Sequence, residues 1–329
     1  MKTNAKALTC FVLCMMGFWL AWEPAAIAQS KYPVRPIRLL IAYPAGGATD
    51  IIGRTIGEKL SAQLGQPVVI DNRPGAGGSL ATQMLAKAEP DGYTLLIVSV
   101  SIAIGPSLYK KLPYDTQRDL LPLTRLAEKI NVMVVNSSTS VKTVNEFVDW
   151  AKKQPSEVRF GTSGVGQTSH LAGELFQRLA GIRMIPVSYR GSGPALIDLS
   201  SGEIQVMFAP FGVALPLINA GKLRALAVAT PKRQPMLPNL PTVAGTFPEF
   251  IFVSNWDGMF APKKTPLHIA DRLVAEINKA IQVPEVKKHL NTAGIEPVGS
   301  SSHQEFAKFV REETERWAKI IKDANIKVE

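Results

Sequence analysis

Short apolar runs that break at glycine-bearing loops and give way to residues spaced for one helical face recur along this chain, and that alternation constrains its fold more than any other feature. Ile37 to Ala42 is a β-favouring run, Tyr43-Pro44-Ala45-Gly46-Gly47-Ala48-Thr49-Asp50 follows, and Ile52, Ile56, Leu60 and Leu64 then recur at four-residue steps. Gly65-Gln66-Pro67 stops that helix, Val68 to Ile70 makes a second strand, and Asn72-Arg73-Pro74-Gly75-Ala76-Gly77-Gly78 turns into another helical stretch. Tyr93 to Ser99, Val132 to Val135, a strand ending at Arg159-Phe160-Gly161, a repeat of the unit through Val187, Ile204 to Phe208 and Leu226 to Ala229 continue the rhythm. Thr143-Val144-Asn145-Glu146 reads as a capping box opening a helix through Trp150. Parallel strand neighbours need crossover connections, so strands alternating with helices predict an α/β protein with mostly parallel sheets flanked by helices.

The chain of 329 residues is long enough for one or two domains. After Pro231 a proline-rich passage runs to Pro248, Phe252 to Phe260 is extended, and only helices are expected beyond it. The last of these sets Phe306, Val310, Trp317 and Ile321 on one face, which must pack on something already built. The expected organisation is two lobes joined by two crossing strands: residues 29–131 and 252–329 in the first, 132–251 in the second, with a cleft between them. Trp256 lies on the expected return crossing; Trp150 and Trp317 read as core.

Residues 1–28 read as a targeting segment. Lys2 and Lys6 precede an apolar run from Ala7 to Trp22, Glu23-Pro24 breaks it, and Ala26-Ile27-Ala28 is a small-x-small cleavage signal. The run is marginal for a spanning helix, which wants about 20 apolar residues. Cleavage after Ala28 removes Cys10 and Cys14, leaving an exported chain without thiols. No second hydrophobic segment of spanning length follows.

The formal charge is +10, and residues 1–28 hold two lysines and one glutamate, so cleavage leaves +9. That balance suits small anionic solutes as well as nucleic acid. The basic residues are scattered among acids without a like-charged block or an aromatic ladder, which argues against nucleic acid. Four histidines with no H-x-x-x-H pair, and two cysteines in the targeting segment, give no metal scaffold, and no metal or cofactor is expected. No P-loop run occurs, and Gly75-Ala76-Gly77-Gly78 is not a dinucleotide turn.

In a parallel α/β sheet, loops at the carboxyl ends of strands line the ligand crevice, and helix N-termini there offer free N–H groups. Tyr43, Ala45, Gly46 and Gly47 occupy such a loop, with Asp50 at the helix start as an N-cap, a ligand contact or both. Ser99 ends the third strand. Gly161 to Ser169 is a polar loop whose Ser163, Gly164, Gly166, Gln167 and Ser169 offer hydroxyls, an amide and backbone donors; His170 follows, as a cap or a contact. Tyr189 and Gly191 to Gly193 add a third loop, and Ala209 follows the strand Ile204 to Phe208. A Ser163 hydrolase is the enzyme alternative, but Gly161-Thr162-Ser163-Gly164-Val165 lacks the final glycine of a nucleophile elbow.

The motifs Tyr43-Pro44-Ala45-Gly46-Gly47 to Asp50, Asn72-Arg73-Pro74-Gly75-Ala76-Gly77-Gly78 and Pro90-Asp91-Gly92-Tyr93-Thr94-Leu95, in this order and spacing, resemble the solute-binding proteins of tripartite tricarboxylate transporters, the Bug family. Leu112-Pro113-Tyr114-Asp115, His170-Leu171-Ala172-Gly173-Glu174, Tyr189-Arg190-Gly191-Ser192-Gly193-Pro194, Ala220-Gly221-Lys222-Leu223-Arg224-Ala225 and Leu240-Pro241-Thr242-Val243 extend the likeness over essentially the whole mature chain. The resemblance implies a periplasmic, two-lobed binding protein, not an enzyme, that closes on a small organic acid and presents it to membrane permease subunits; a monomer is the default for such a shuttling carrier. It implies a carboxylate held by backbone amides and ordered waters from the Ala45 to Asp50 loop, with Ser163 to His170 opposite. A periplasmic component signalling ligand occupancy to a membrane kinase is the alternative. Gln167 and Thr168 replace the small residues usual in the family, Ala209 stands where a polar or acidic residue is common, and Ala244-Gly245-Thr246 departs from the usual Ala-Glu-x-Gly, so no particular substrate carries over.

Overall fold

The computed structural model describes residues 32–250 and 255–323. The targeting segment 1–28 and the return crossing near Phe252 lie outside the described residues. From Arg35 onward the chain builds two sheets, each sandwiched by helices.

The first sheet starts with β1 (Ile37–Ile41), α1 (Ala48–Leu64), β2 (Val68–Asn72), α2 (Ser79–Ala86), β3 (Thr94–Ser99), α3 (Ser101–Leu108), the single turn α4 (Thr116–Asp119) and β4 (Leu120–Lys129). The second comprises β5 (Asn131–Asn136), α5 (Val144–Lys152), β6 (Val158–Thr162), α6 (Thr168–Ala180), β7 (Met184–Ser188), α7 (Ser192–Ser201), β8 (Val206–Pro210), α8 (Phe211–Asn219) and β9 (Leu223–Val228). Then β10 (Asn255–Pro262), α9 (Leu267–Gln282), α10 (Pro284–Thr292), β11 (Ile295–Pro297) and α11 (His303–Asp323) complete the first. The strand orders are β11-β4-β10-β3-β1-β2 and β7-β6-β8-β5-β9.

The α/β class stands, but the sheets are mixed where mostly parallel ones are expected. β2, β1 and β3 run parallel, as do β7, β6 and β8, whereas β10 is antiparallel to both β3 and β4, and β5 to both β8 and β9. The reason is the passage between sheets: β4 leads out through Ile130 into β5 and β10 belongs to the returning chain, and strands leaving and returning run in opposite senses. Two strands are absent from the sequence reading. β4 is buried along almost its whole length, so LLPLTRLAEK shows no alternation to read, and β11 is a three-residue edge among helices.

Packing follows from the strand period of two. In the second sheet Met133, Val135, Phe160 and Phe208 face Phe147 of α5 and Phe176 of α6. Val132, Val134 and Met207 face Leu196 and Leu199 of α7 on the opposite side. In the first sheet α1 lies close on β1 because Gly53 lacks a side chain; a Cβ there would come within 2.5 Å of the Ile41 Cδ1. α11 packs on α3 and β4, burying Phe306, Val310, Trp317 and Ile321. Among the described residues no helix is long and apolar enough to cross a membrane.

Candidate functional site

Three helices, α1, α6 and α7, begin with the N-caps Gly47, Gln167 and Gly191, none of which caps its helix with a side-chain hydrogen bond. All three ends open on one cavity of about 330 Å³ between the sheets, lined by Gly47 to Thr49, by Gln167 and Thr168, and by Gly191 to Pro194. First-turn N–H groups have no acceptor within their own helix and carry the positive end of its dipole. Where three such ends converge, their free N–H groups and dipoles favour an anion independently of any charged side chain on the wall.

Tyr43 closes one side. Its hydroxyl lies 2.5 Å from the Ser99 hydroxyl and 2.7 Å from that of Ser101, and burial is the main reason its pKa is pushed up to about 12. It therefore stays neutral. The Lys129 ammonium sits 2.5 Å from the Asp257 carboxylate, whose other oxygen accepts from the Thr49 hydroxyl at 2.8 Å. Across the crossing strands the Asn255 side-chain amide donates to Asn131 Oδ1, and Asn131 donates to the Thr168 hydroxyl, at 3.1 and 3.2 Å. A polar chain on each side thus ties a helix N-terminus to the crossing strands.

The expected residues fall into three groups. Tyr43, Ala45, Gly46, Gly47, Ser99, Ser163 and Gln167 line the cavity. Gly164 and Tyr189 line a second, adjoining space, where the Tyr189 hydroxyl donates to Asp198 at 2.7 Å. Asp50, Gly166, Ser169, His170 and Ala209 are outside both walls, and each has a structural occupation.

Asp50 sits at the third helical position and holds the loop: it accepts from the Gly46 N–H, from Arg54 and from Asn72, each at 2.9 Å. The Gly46 amide is thereby spent inside the protein, which shifts the expected anion contact from Gly46 onto Gly47 and the first helical turn. Gly166 has its Cα pressed against Leu108 and Tyr109 of the first lobe. The Ser169 hydroxyl accepts from the Ser163 N–H at 2.8 Å and meets the Ser163 hydroxyl at 2.9 Å. His170 Nδ1 accepts from the Gly166 N–H at 3.4 Å, and burial lowers the pKa of the ring, so it shapes the loop as a neutral group. Ser163 and His170 are thus occupied by Ser169 and the Gly166 amide, not by each other. Ala209 is fully buried opposite Val132. Trp256 is also buried, with its indole N–H donating to Glu313 at 2.9 Å.

Sequence reasoning missed Lys129, Arg190 and Asn255 in the wall. A lone lysine or arginine reads as a solvated charge by default, and Asn255 gains its place only through pairing of β10 with β4. Among the described residues no cluster of three or more metal-ligating side chains occurs.

The sequence of residues 52–326 matches the model of the tripartite tricarboxylate transporter family receptor. The chain belongs to this family. It is 35% identical over 322 residues to the protein BugT of Bordetella pertussis, covering 96% of this chain and 98% of that one. The solved periplasmic binding protein BugD superposes with a TM-score of 0.85 at 29% identity, covering 91% of this chain and all of BugD. An R. palustris protein solved with adipate superposes with a TM-score of 0.85 at 34% identity, covering 90% of this chain and 99% of that one. MatC of Rhodopseudomonas palustris, solved with malate, gives 0.82 at 30%, covering 88% and 100%. The chain is therefore a solute-binding receptor with the periplasmic binding protein fold, in a family of receptors and not of enzymes.

Proposed function

We propose that this receptor is exported by a cleaved segment 1–28, acts as a monomer in the periplasm, captures a small organic carboxylate between its lobes and delivers it to the membrane subunits of a tripartite tricarboxylate transporter. The lobes are assigned as residues 29–131 with 252–329, and 132–251. The observation that carries the binding step is the meeting of three helix N-termini without side-chain caps on one cavity. A carboxylate there accepts from the Ala48 and Thr49 amides in one lobe and from the α6 and α7 ends in the other, so binding favours the closed state by its differential contacts. Arg190 on the wall, with no ion pair among the described residues, adds positive potential. Relatives solved with adipate and malate support this ligand class.

Calorimetric titration with small mono- and dicarboxylates tests the reading, and saturable binding of at least one is expected. Ala48→Asp is the matched variant. A carboxylate in the first turn suits the α1 dipole and preserves the fold, while its charge faces the cavity and repels the ligand. Undiminished binding by a folded Ala48→Asp protein, or silence of the native chain across the panel, would overturn the assignment.

A further inference from the structure

The anion cavity is not the whole of the cleft. Tyr43, Pro44, Ser163, Gln167, Arg190 and Gly191 border both that cavity and a second chamber of about 730 Å³, more than twice the volume of the first, and this shared border is termed the neck. Its wall combines the Pro74 to Gly78 turn of the first lobe with Gly164, Val165 and Tyr189 of the second, and Tyr109.

The outer wall is no less polar than the inner one, but apart from Arg190 at the shared border its polar side chains are already engaged within the protein. The Tyr109 hydroxyl donates to the Val165 carbonyl at 3.1 Å, Gln167 Nε2 donates to the Gly77 carbonyl at 3.0 Å, and the Tyr189 hydroxyl donates to Asp198. The Gly164 N–H is directed to the Thr162 hydroxyl at 3.3 Å. The two tyrosines therefore offer ring surface, and Pro44, Pro74 and Val165, which is 37% exposed, add aliphatic surface. Pockets in which a few polar groups orient one end of a ligand and apolar walls take the rest select amphipathic molecules.

We propose that the outer chamber is a subsite for an apolar body, so that the ligand is an elongated organic monocarboxylate: its charged end lies at the helix N-termini and an alkyl or aryl portion passes the neck into the outer chamber. The proposal rests on carboxylate capture at the inner cavity and adds what lies at the other end of the molecule.

Straight-chain monocarboxylates from acetate to octanoate, with benzoate and phenylacetate, titrated against the purified mature chain, test it. Once the chain length carries the tail past the neck, Kd should fall about fourfold per methylene, the increment expected for burying one methylene. The aryl acids should bind more tightly than acetate. In Val165→Trp, which narrows the outer chamber and leaves the backbone carbonyl for Tyr109, the gain with length should be reduced while affinity for the shortest acids that bind stays within about twofold. Binding of short acids or dicarboxylates with no gain along the series would overturn the outer subsite and leave carboxylate capture standing. So would a gain with length that persists undiminished in a folded Val165→Trp protein. Absence of binding by every acid, malate and adipate included, would overturn both.

Discussion

Lys129 and Asp257 meet on the same face of neighbouring antiparallel strands at the floor of the cleft, with Nζ 2.5 Å from Oδ2 and side chains 5% and 0% exposed. The pair fixes β4, the strand leading out to the second lobe, to β10, which carries the chain back. Asp257 also holds Thr49 in the first turn of α1, so the geometry of the anion wall and that of the crossing strands share one carboxylate.

Removing either partner strands a buried charge. Asp257→Leu or Lys129→Met alone should cost about 3–5 kcal/mol, and the double replacement should recover most of that loss. Chemical denaturation of the three variants measures it. A double variant no more stable than the worse single one would show that the polar contacts around the pair, and not its charge balance, set the cost.

Gln167 and Tyr109 bridge the two lobes through the Gly77 and Val165 carbonyls. The Gln167→Ala variant loses the bond to the Gly77 carbonyl, and a net hydrogen-bond contribution of about 0.5–1.5 kcal/mol corresponds to roughly two- to tenfold weaker ligand binding. Calorimetric titration of both proteins measures it, and identical affinity would dismiss Gln167 as a tie between the lobes.

Asp50 makes loop stability depend on pH. Burial opposes its charge, but donors from Arg54, the Gly46 N–H and Asn72 together hold its pKa below the ordinary carboxylate value. A depressed folded-state pKa means that the stabilisation is complete above the unfolded value of about 4 and is lost as pH falls through the lower folded value. The stability advantage of the native chain over Asp50→Asn should therefore be constant near neutrality and shrink below about pH 4. Unfolding midpoints of both proteins across that range check it, and an advantage that grew on acidification would contradict the assignment.

Gly212, in the first turn of α8, packs its Cα against the backbone of Ala293 in the first lobe, where a Cβ would lie 1.3 Å from the Ala293 carbonyl oxygen. Backbone cannot rotate aside as a side chain can, so Gly212→Ala must displace one lobe relative to the other. A stability loss of about 1–3 kcal/mol with weakened ligand binding is expected. Denaturation and titration of the same sample measure both, and native values for each would mean that α8 moves freely.

Legibility in the sequence tracked the range of the interaction responsible. The β1–α1 and β6–α6 units were readable because periodicity and glycine turns act over a few residues. Tyr43, Gly47, Ser163 and Gln167 could be placed in the wall on the same basis, since loops at strand ends face the cleft. β4 was invisible because burial on both faces erases the alternation, and the antiparallel pairing of β10 was missed because partner direction follows from the route of the chain. Asp50 and His170 had the residue types of ligand contacts; only their actual partners, Arg54 with Asn72 and the Gly166 amide, assign them to holding loops in shape.

By itself the sequence determined the α/β class, the glycine loops that precede uncapped helices and the family, because these are properties of neighbouring residues and of motif order. Only the tertiary structure decided that three helix ends share one cavity, that Lys129 is neutralised at its floor and that a second chamber opens beyond Arg190. Those relationships join residues distant in sequence, such as Gly47 with Gln167 and Lys129 with Asp257, and it is the placing of the two sheets that brings the separate helix ends and rings to the cleft.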